Sequence, residues 1–495
     1  MNIRPKVVVI GAGFSGLSAA SVLAQHGYDV KILEKHHTTG GRARVFRKDG
    51  FKFDMGPSWY WMPEVMEQFF NRFGKSAADY FELKRLDPSY QVIFSREDIV
   101  EVPADMSALL ALFESKEPGG AAKLQWFLQD AQEKYEIAMG SFVNKPALSV
   151  MEFANVNMLR LAVRMNLFSS FSKHVRSHFK SAELQQILEF PVLFLGARPA
   201  DIPAMYSMMN YADLALGTWY PMGGFGELPD AMVKVATEQG AVLHLDANVQ
   251  SLLIEGGKVV GVKTNKEVFE ADFVISSADY HFTETLLPKP YRNYSEKYWN
   301  DRVMAPSCLL YYLGIDKKIA KLQHHNLFFE GGFNEHADSI YTKPSFPTNP
   351  LYYVCCPGKT DTSVAPEGKE NIFMLIPVAP GLDDTPEIRK KYYQETMARL
   401  EDFCGEPIAD HVVSYTDYAG SDFVTDYNAF KGNAYGLANT LRQTAVLKPK
   451  IKNKKLDNLY YTGQLTVPGP GVPPSIISGQ IVADYIINNS KQQKK

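Results

Sequence analysis

The sequence predicts an α/β fold whose nucleotide-binding domain is discontinuous, assembled from stretches far apart in the chain. Three observations point there. Residues 6–35 read KVVVIGAGFSGLSAASVLAQHGYDVKILEK: a strand, a glycine turn, a helix and a second strand. Residues 219–276 return to helix and short apolar strands after a long interruption. Residues 457–480 run from an apolar strand through a loop rich in glycine and proline into an apolar helix. A chain of 495 residues, 45% apolar and 12% aromatic, exceeds one ordinary domain, and two or three are expected. The net charge of −3 gives no argument for a nucleic-acid partner.

The first element is the most specific. Val7 to Ile10 reads as a buried strand, and Gly11-x-Gly13-x-x-Gly16 follows it directly. Leu17 to Gln25 reads as a helix that Gly27 ends; Asp29 to Leu33 is the next strand, and Glu34 closes it. This is the full context of a Rossmann-like dinucleotide fingerprint. Gly11 permits the tight turn, Gly13 lets backbone approach a diphosphate, and Gly16 lets the helix pack on the strand. The helix N-terminus attracts the diphosphate. Glu34 accepts hydrogen bonds from the adenosine ribose, and an acid there disfavours a 2′-phosphate.

The next loop favours FAD over NAD. TTGGRAR, 38–44, is similar to the segment that follows the second strand in many flavoproteins, where glycines pass close to the FAD diphosphate and an arginine supplies a cation. Arg42, beside Gly41, is the better candidate for that cation; Arg44 reads equally as a surface or substrate-side charge. FDMGPSWYWMP, 53–63, sets Gly56-Pro57 in a turn crowded by Trp59, Tyr60 and Trp61, either as core packing or as a ligand face.

In the middle of the chain, WYPMGG, 219–224, opens a helix from Leu228 to Gln239. Strands follow at Val242–Leu245, Val249–Ile254, Val259–Lys263 and Ala271–Ser276, with a Gly256-Gly257 hairpin. These strands are expected to return to the first sheet. The stretch MLRLAVRMNLFSSFSKHVRSHFK, 158–180, mixes apolar residues with Arg160, Arg164, Lys173, Arg176 and Lys180 and has no acid. Such a basic amphipathic stretch is a candidate membrane-surface element, the alternative being a helix packed on its own domain. Residues 286–435 hold strand-like aromatic runs, LLYYLG and LYYVCC among them. The run KPKIKNKK, 448–455, reads as a solvated loop.

Four cysteines, with no CxxC pair, read as buried reduced thiols. His324-His325 finds no third ligand at a useful spacing, so no metal is expected. No Ser-His-Asp or Cys-His set appears, and no catalytic base is assigned. Nothing reads as an export signal or as a membrane-spanning segment.

At the C-terminus, DNLYYTG gives a strand ending at Gly463; PGPGVPPS, 468–475, follows, then apolar residues at helical spacing. A strand, a Gly-Pro loop and a helix N-terminus make a second place where backbone amides meet a ligand.

Taken together, VVVIGAGFSGLSAA, LEKHHTTGGRAR, FDMGPSWYWMP, WYPMGG, Ala278-Asp279, GNAYGLANTLRQTA (432–445) and YYTGQLTVPGPGVPPSIISGQ resemble, in order and over nearly the whole chain, the bacterial-type phytoene desaturases of carotenoid biosynthesis. That family lies within the amine-oxidase-like FAD superfamily. The resemblance implies an FAD enzyme that dehydrogenates a C40 polyene, most commonly phytoene to lycopene. It also implies an apolar substrate drawn from a membrane surface, and quinone or dioxygen to reoxidise the flavin. Carried over by motif, Gly11, Gly13 and Gly16 would take the diphosphate and Glu34 the ribose. Gly40, Gly41 and Arg42 would lie along the diphosphate, Gly56 and Pro57 would line the ring, and Val249 would face the adenine through its backbone. Gly463, Gln464, Gly471 and Val472 would hold the ribityl and pyrimidine side.

The expected organisation is an FAD-binding domain of 1–78, 220–285 and 440–490. A mixed-sheet substrate domain spans 79–139 and 286–439. A helical subdomain with a candidate membrane face spans 140–219, and 491–495 is a basic tail. The expected location is cytoplasmic and peripheral to the membrane. The rivals are a 3,4-desaturase, a carotene isomerase and, more distantly, a non-catalytic prenyl-lipid-binding protein. The last should have lost the flavin-contacting glycines and the ribose acid, all of which are present.

Overall fold

The computed structural model describes residues 4–149, 152 and 164–492. Its first sheet has five strands, all parallel, in the order Leu459–Tyr461, Phe273–Ser276, Lys6–Ile10, Asp29–Leu33, Val242–His244. Three distant stretches of chain therefore build one sheet. Parallel strands need both faces covered, which is why Val7 to Ile10 is an unbroken apolar run, buried throughout. Helices Phe14–Gln25, Glu227–Glu238 and Val472–Gln492 pack together beside this sheet. The first and last of these touch so closely that a Cβ on Gly479 would stand 2.3 Å from the Ser15 carbonyl oxygen.

Part of the expectation for the middle strands is corrected here. Val242–His244 and Phe273–Ser276 join the parallel sheet. Val249–Glu255 and Lys258–Thr264 do not; with Val268–Glu270 they form a separate antiparallel sheet. The strand Lys258–Thr264 largely alternates exposed and buried residues, so it has one apolar face to bury. Val259 and Val262 pack that face with Val8, Ile10 and Val274 of the parallel sheet.

The second large sheet has seven strands: Val412–Tyr418, Ser307–Ile315, Glu370–Val378, Tyr352–Cys355, His325–Phe328, Tyr90–Ile93 and Ile99–Val102. It is mixed, with one parallel pair between His325–Phe328 and Tyr90–Ile93. Ser307–Ile315 is buried along its whole length because both faces are covered. One face packs on helix Pro386–Cys404. The other meets Leu109, Leu124, Phe127, Phe171, Leu184 and Phe190 of the helical region.

Within 158–180, residues 158–163 lie outside the described residues. The remainder is a turn followed by the short helix Phe171–His178. Phe171, Val175 and Phe179 are buried, while Lys173, Arg176 and Lys180 face outward. The 448–455 run is not the solvated loop expected. Lys448, Ile451 and Asn453 are buried, and Asn453 Nδ2 donates to Tyr461 Oη at 2.9 Å. Backbone bonds to the neighbouring strand hold the run, Asn453 N–H donating to the Leu459 carbonyl at 2.9 Å and Tyr461 N–H to the Ile451 carbonyl at 2.8 Å, while Lys454 and Lys455 stay exposed.

Candidate active site

A continuous cavity of about 440 Å³ runs from the parallel sheet to the mixed sheet. Thirteen of the fourteen residues carried over by motif line it: Gly11, Gly13, Glu34, Gly40, Gly41, Arg42, Gly56, Pro57, Val249, Gly463, Gln464, Gly471 and Val472. Gly16 does not. A Cβ at Gly16 would lie 2.1 Å from the Gly11 carbonyl oxygen, so this glycine serves helix-to-turn packing.

At the nucleotide end, Gly11 has φ +97° and Gly40 φ +101°, backbone that favours glycine. The two loops are bonded together, Gly40 N–H donating to the Ala12 carbonyl at 2.9 Å. A Cβ on Gly41 would stand 3.2 Å from Gly13 Cα. Helix Phe14–Gln25 begins at Gly13 without a side-chain cap, so its first-turn amides are left to a ligand. Glu34 is buried, and its carboxylate accepts from Ala12 N–H at 2.8 Å and His36 N–H at 3.0 Å. Each oxygen keeps a second lone pair, so ribose recognition and loop fixing are compatible.

Arg42 is half-buried. Its Nη2 donates to the Asn433 carbonyl at 3.3 Å and its guanidinium lies 5.3 Å from the centre of the Tyr427 ring. Burial pulls its pKa down, opposed by the Asp279 carboxylate. Asp279 caps the next helix through Phe282 N–H, and burial raises its pKa against the pull of Arg42. Arg44 is a structural ion, paired with Asp426 at 2.5 Å. Gly56 is constrained by its own chain: a Cβ there would meet the Arg42 carbonyl oxygen at 2.1 Å.

The C-terminal loop places Gly463 (φ +106°) and Gly471 (φ +112°) on the cavity wall. Helix Val472–Gln492 opens with Val472-Pro473-Pro474. Both prolines lack an N–H, so Gly471 and Val472 carry the backbone donors at this end.

Beyond the glycines the wall turns aromatic: Trp59, Trp61, Phe190, Phe333, Tyr353 and Tyr435 all line it. Trp59 and Trp61 are thus both packing and cavity wall, with ring centres 5.3 Å apart. Sequence reasoning assigns no site role to Ser58, Cys308, Phe190 or Tyr353: Ser58 sits inside the Gly56-Pro57 motif, and the other three come from two strands and a 3-10 helix with no local motif. Ser58 and Tyr353 hydroxyls are 2.9 Å apart, a polar pair in an apolar wall. Burial pushes the Cys308 thiol up to about 12, so it is no nucleophile.

The family described as flavin containing amine oxidoreductase matches residues 14–487. The chain belongs to that family. A carotenoid 3,4-desaturase of Haloarcula japonica is 40% identical, covering 98% of both chains. A zeta-carotene-forming phytoene desaturase of Myxococcus xanthus is 31% identical, covering 97% of this chain and 94% of its own. A 4,4'-diapophytoene desaturase of Staphylococcus aureus is 31% identical, covering 98% and 99%. Within the family, then, the chain is one of the carotenoid desaturases. Among solved structures, an oxidoreductase from Methanosarcina mazei superposes with TM-score 0.62 at 19% identity, covering 97% of this chain and all of its own. A putrescine oxidase superposes at 0.59 and 14% identity, covering 98% and 99%. These two likenesses show the shared fold. The enzyme is an FAD-dependent oxidoreductase of CH–CH groups. The uncapped helix start, the paired glycine loops and the buried acid fit that cofactor. Bound there, FAD supplies the hydride acceptor.

Proposed function

We propose that this desaturase introduces C=C bonds into a linear C40 carotenoid held in the aromatic half of the cavity. The observation that carries this reading is the continuity of one cavity from the Gly11–Gly13 and Gly40–Gly41 loops to Trp59, Trp61 and Tyr353. A polyene offers no charge or hydrogen bond to grip. Apolar and aromatic walls can only exclude water and fix its position, and positioning is what removal of two neighbouring hydrogens requires. Gly56, Pro57, Gly463, Gln464, Gly471 and Val472, which also line the cavity, would hold the flavin ring. Arg42 and the glycine loops would hold the diphosphate, and Glu34 and Val249 the adenosine.

Two readings of the step stay open to test. The higher identity with a 3,4-desaturase favours 3,4-desaturation of a carotenoid already conjugated. Successive desaturation of phytoene to lycopene is the second reading, supported by the phytoene desaturase at 31%. Quinone or dioxygen would serve as final electron acceptor. The substrate would enter from a membrane surface, with the protein cytoplasmic and peripheral. Exposed Phe168 (82%) and Trp126 (51%) flank the outward-facing Lys173, Arg176 and Lys180, which supports such a face. No helix of the described residues is long and apolar enough to cross a membrane.

The test is anaerobic incubation of FAD-loaded protein with liposomes carrying phytoene or lycopene, following flavin absorbance and extracted pigments. Bleaching with lycopene alone establishes the 3,4-step. Bleaching with phytoene and formation of coloured polyenes establishes the second reading. Bleaching with neither would sink the proposal.

A further inference from the structure

Strands His325–Phe328 and Tyr352–Cys355 pair antiparallel with His325 opposite Cys355. This register brings two consecutive imidazoles to one thiol. Ligand atoms of His324, His325 and Cys355 lie within 4.8 Å of one another, and all three residues are buried. Each imidazole is held from behind by a hydroxyl. His324 Nδ1 is 2.7 Å from Thr360 Oγ1, and His325 Nδ1 is 2.6 Å from Tyr353 Oη, which in turn is 2.9 Å from Ser58 Oγ. The Nε2 atom of each ring is buried without a hydrogen-bond partner among the described residues. Buried polar atoms in native proteins are nearly always paired, so two orphaned imidazole nitrogens in one buried His-His-Cys cluster call for an occupant. A cavity of about 10 Å³, with room for a single atom, is lined by His324 and Cys355 together with Asp54, Ser58 and Tyr220.

We propose that His324, His325 and Cys355 bind one d¹⁰ metal ion, Zn²⁺ or Cu⁺, behind the aromatic wall of the cavity. Imidazole and thiolate are the donors that these ions prefer over Mg²⁺ or Ca²⁺. A hydroxyl on each Nδ1–H fixes the tautomer that leaves Nε2 with its lone pair, the arrangement usual around metal-bound histidine. Bound ligand atoms would stand about 3.5 Å apart, so the three side chains draw together by roughly 1 Å on binding. Cys355 loses its proton to solvent as the metal–sulfur bond forms. The consequence lies next door. His325 stacks on Trp59, ring centres 4.1 Å apart and 13° from parallel, and Trp59 lines the cavity. The ion stiffens that wall and takes no part in the redox step.

Sequence spacing hides this site because Cys355 reaches the histidines through strand pairing, not through a local motif.

The test uses the full chain without a histidine tag. Metal analysis of the purified protein should give about one equivalent of zinc or copper per chain. Metal-free protein titrated anaerobically with Co²⁺, a spectroscopic stand-in for Zn²⁺, should develop a thiolate-to-cobalt absorption band that saturates at one equivalent. Cu⁺ delivered against a coloured chelator separates the two ions. Binding of either should raise the thermal midpoint. Cys355→Ser and His324→Gln should lose the band while keeping full FAD content, which shows that they fold. Absence of band, stoichiometric uptake and midpoint shift in the unaltered protein would overturn the proposal. So would a band that survives in Cys355→Ser.

Discussion

The two large sheets place their specificity at different distances along the chain. In the parallel sheet, much of what shapes the nucleotide end sits within one strand–helix–strand unit: Gly11, Gly13 and Gly16 at its turn and Glu34 at its close, with the Gly40–Gly41 loop packed on it. In the mixed sheet, each useful neighbour comes from far away, Ser58 against Tyr353 or His325 against Cys355. Where a ligand is gripped by backbone, short-range spacing carries the site. Where it is enclosed by side chains, tertiary pairing carries it. The first kind should fail through the cofactor and the second through the fold or the substrate.

The largest effect is expected at Gly16. An alanine methyl would stand 2.1 Å from the Gly11 carbonyl oxygen and 3.0 Å from Ser277 Cβ, and backbone must move to admit it. Gly16→Ala should cost about 3 kcal/mol by overpacking and should purify largely without FAD. Ile372→Ala, fully buried in the mixed sheet, should cost a similar amount, about 2–5 kcal/mol, through its cavity. That variant should keep its flavin. Chemical denaturation and flavin content together read both. Equal loss of FAD in the two variants would break the contrast.

The same contrast explains what was legible. The order of strand, glycine turn, helix and acid is local, so the parallel sheet and its loops are readable residue by residue. The Gly-Pro loop before Val472 is readable for the same reason. The hairpin at 249–264 reads as part of the parallel sheet but pairs in a separate one, because such strands look alike wherever they pair. Gly56 was read as room for a ring, and only the folded chain shows the Arg42 carbonyl that also demands it. Lys448 looked solvated because charge says nothing of the neighbours that enclose it.

A second effect, of similar size, belongs to the mixed sheet and its helical cover. Asp213 is buried, accepting from Tyr90 Oη at 2.9 Å and from Thr218 Oγ1 at 3.4 Å. Burial raises its pKa to about 7. Between about pH 4 and pH 7 the folded chain therefore holds a proton that the unfolded chain has released. Stability falls as pH rises through that window, by on the order of 4 kcal/mol if the whole shift is realised, and levels off above it. Asp213→Asn should flatten this part of the profile. Thermal midpoints of both proteins from pH 4 to 8 check it, and parallel curves would show that the carboxyl is already ionised at pH 4.

The surface of the helical region should respond more gently. Arg176 Nε lies 3.4 Å from the buried Glu189 carboxylate and Arg164 pairs with Glu133, so neither is a clean probe of lipid contact. Lys173 and Lys180 face outward. Replacing both with Gln should weaken co-sedimentation with anionic liposomes about 30-fold, at about 1 kcal/mol for each charge. Phe168→Ser should add to the loss, and high salt should reduce the lysine effect but not the phenylalanine one. Unchanged binding in all three would remove the membrane face from the helical region.

The smallest effect divides the two jobs of one acid. Glu34 fixes the glycine loop through Ala12 N–H and His36 N–H, and it lines the cavity where a ribose would sit. Glu34→Gln keeps the shape but leaves one acceptor, and turns an NH₂ toward an amide that also donates. The loop should loosen, and FAD should bind about tenfold more weakly, close to 1.4 kcal/mol. Titration of the apoprotein by quenching of flavin fluorescence measures the affinity, and the thermal midpoint of that same apoprotein measures the loop. A fall in both says that the carboxylate shapes the turn and meets the ribose. A lower midpoint with unchanged affinity says that its work ends at Ala12 and His36, and that backbone alone grips the nucleotide.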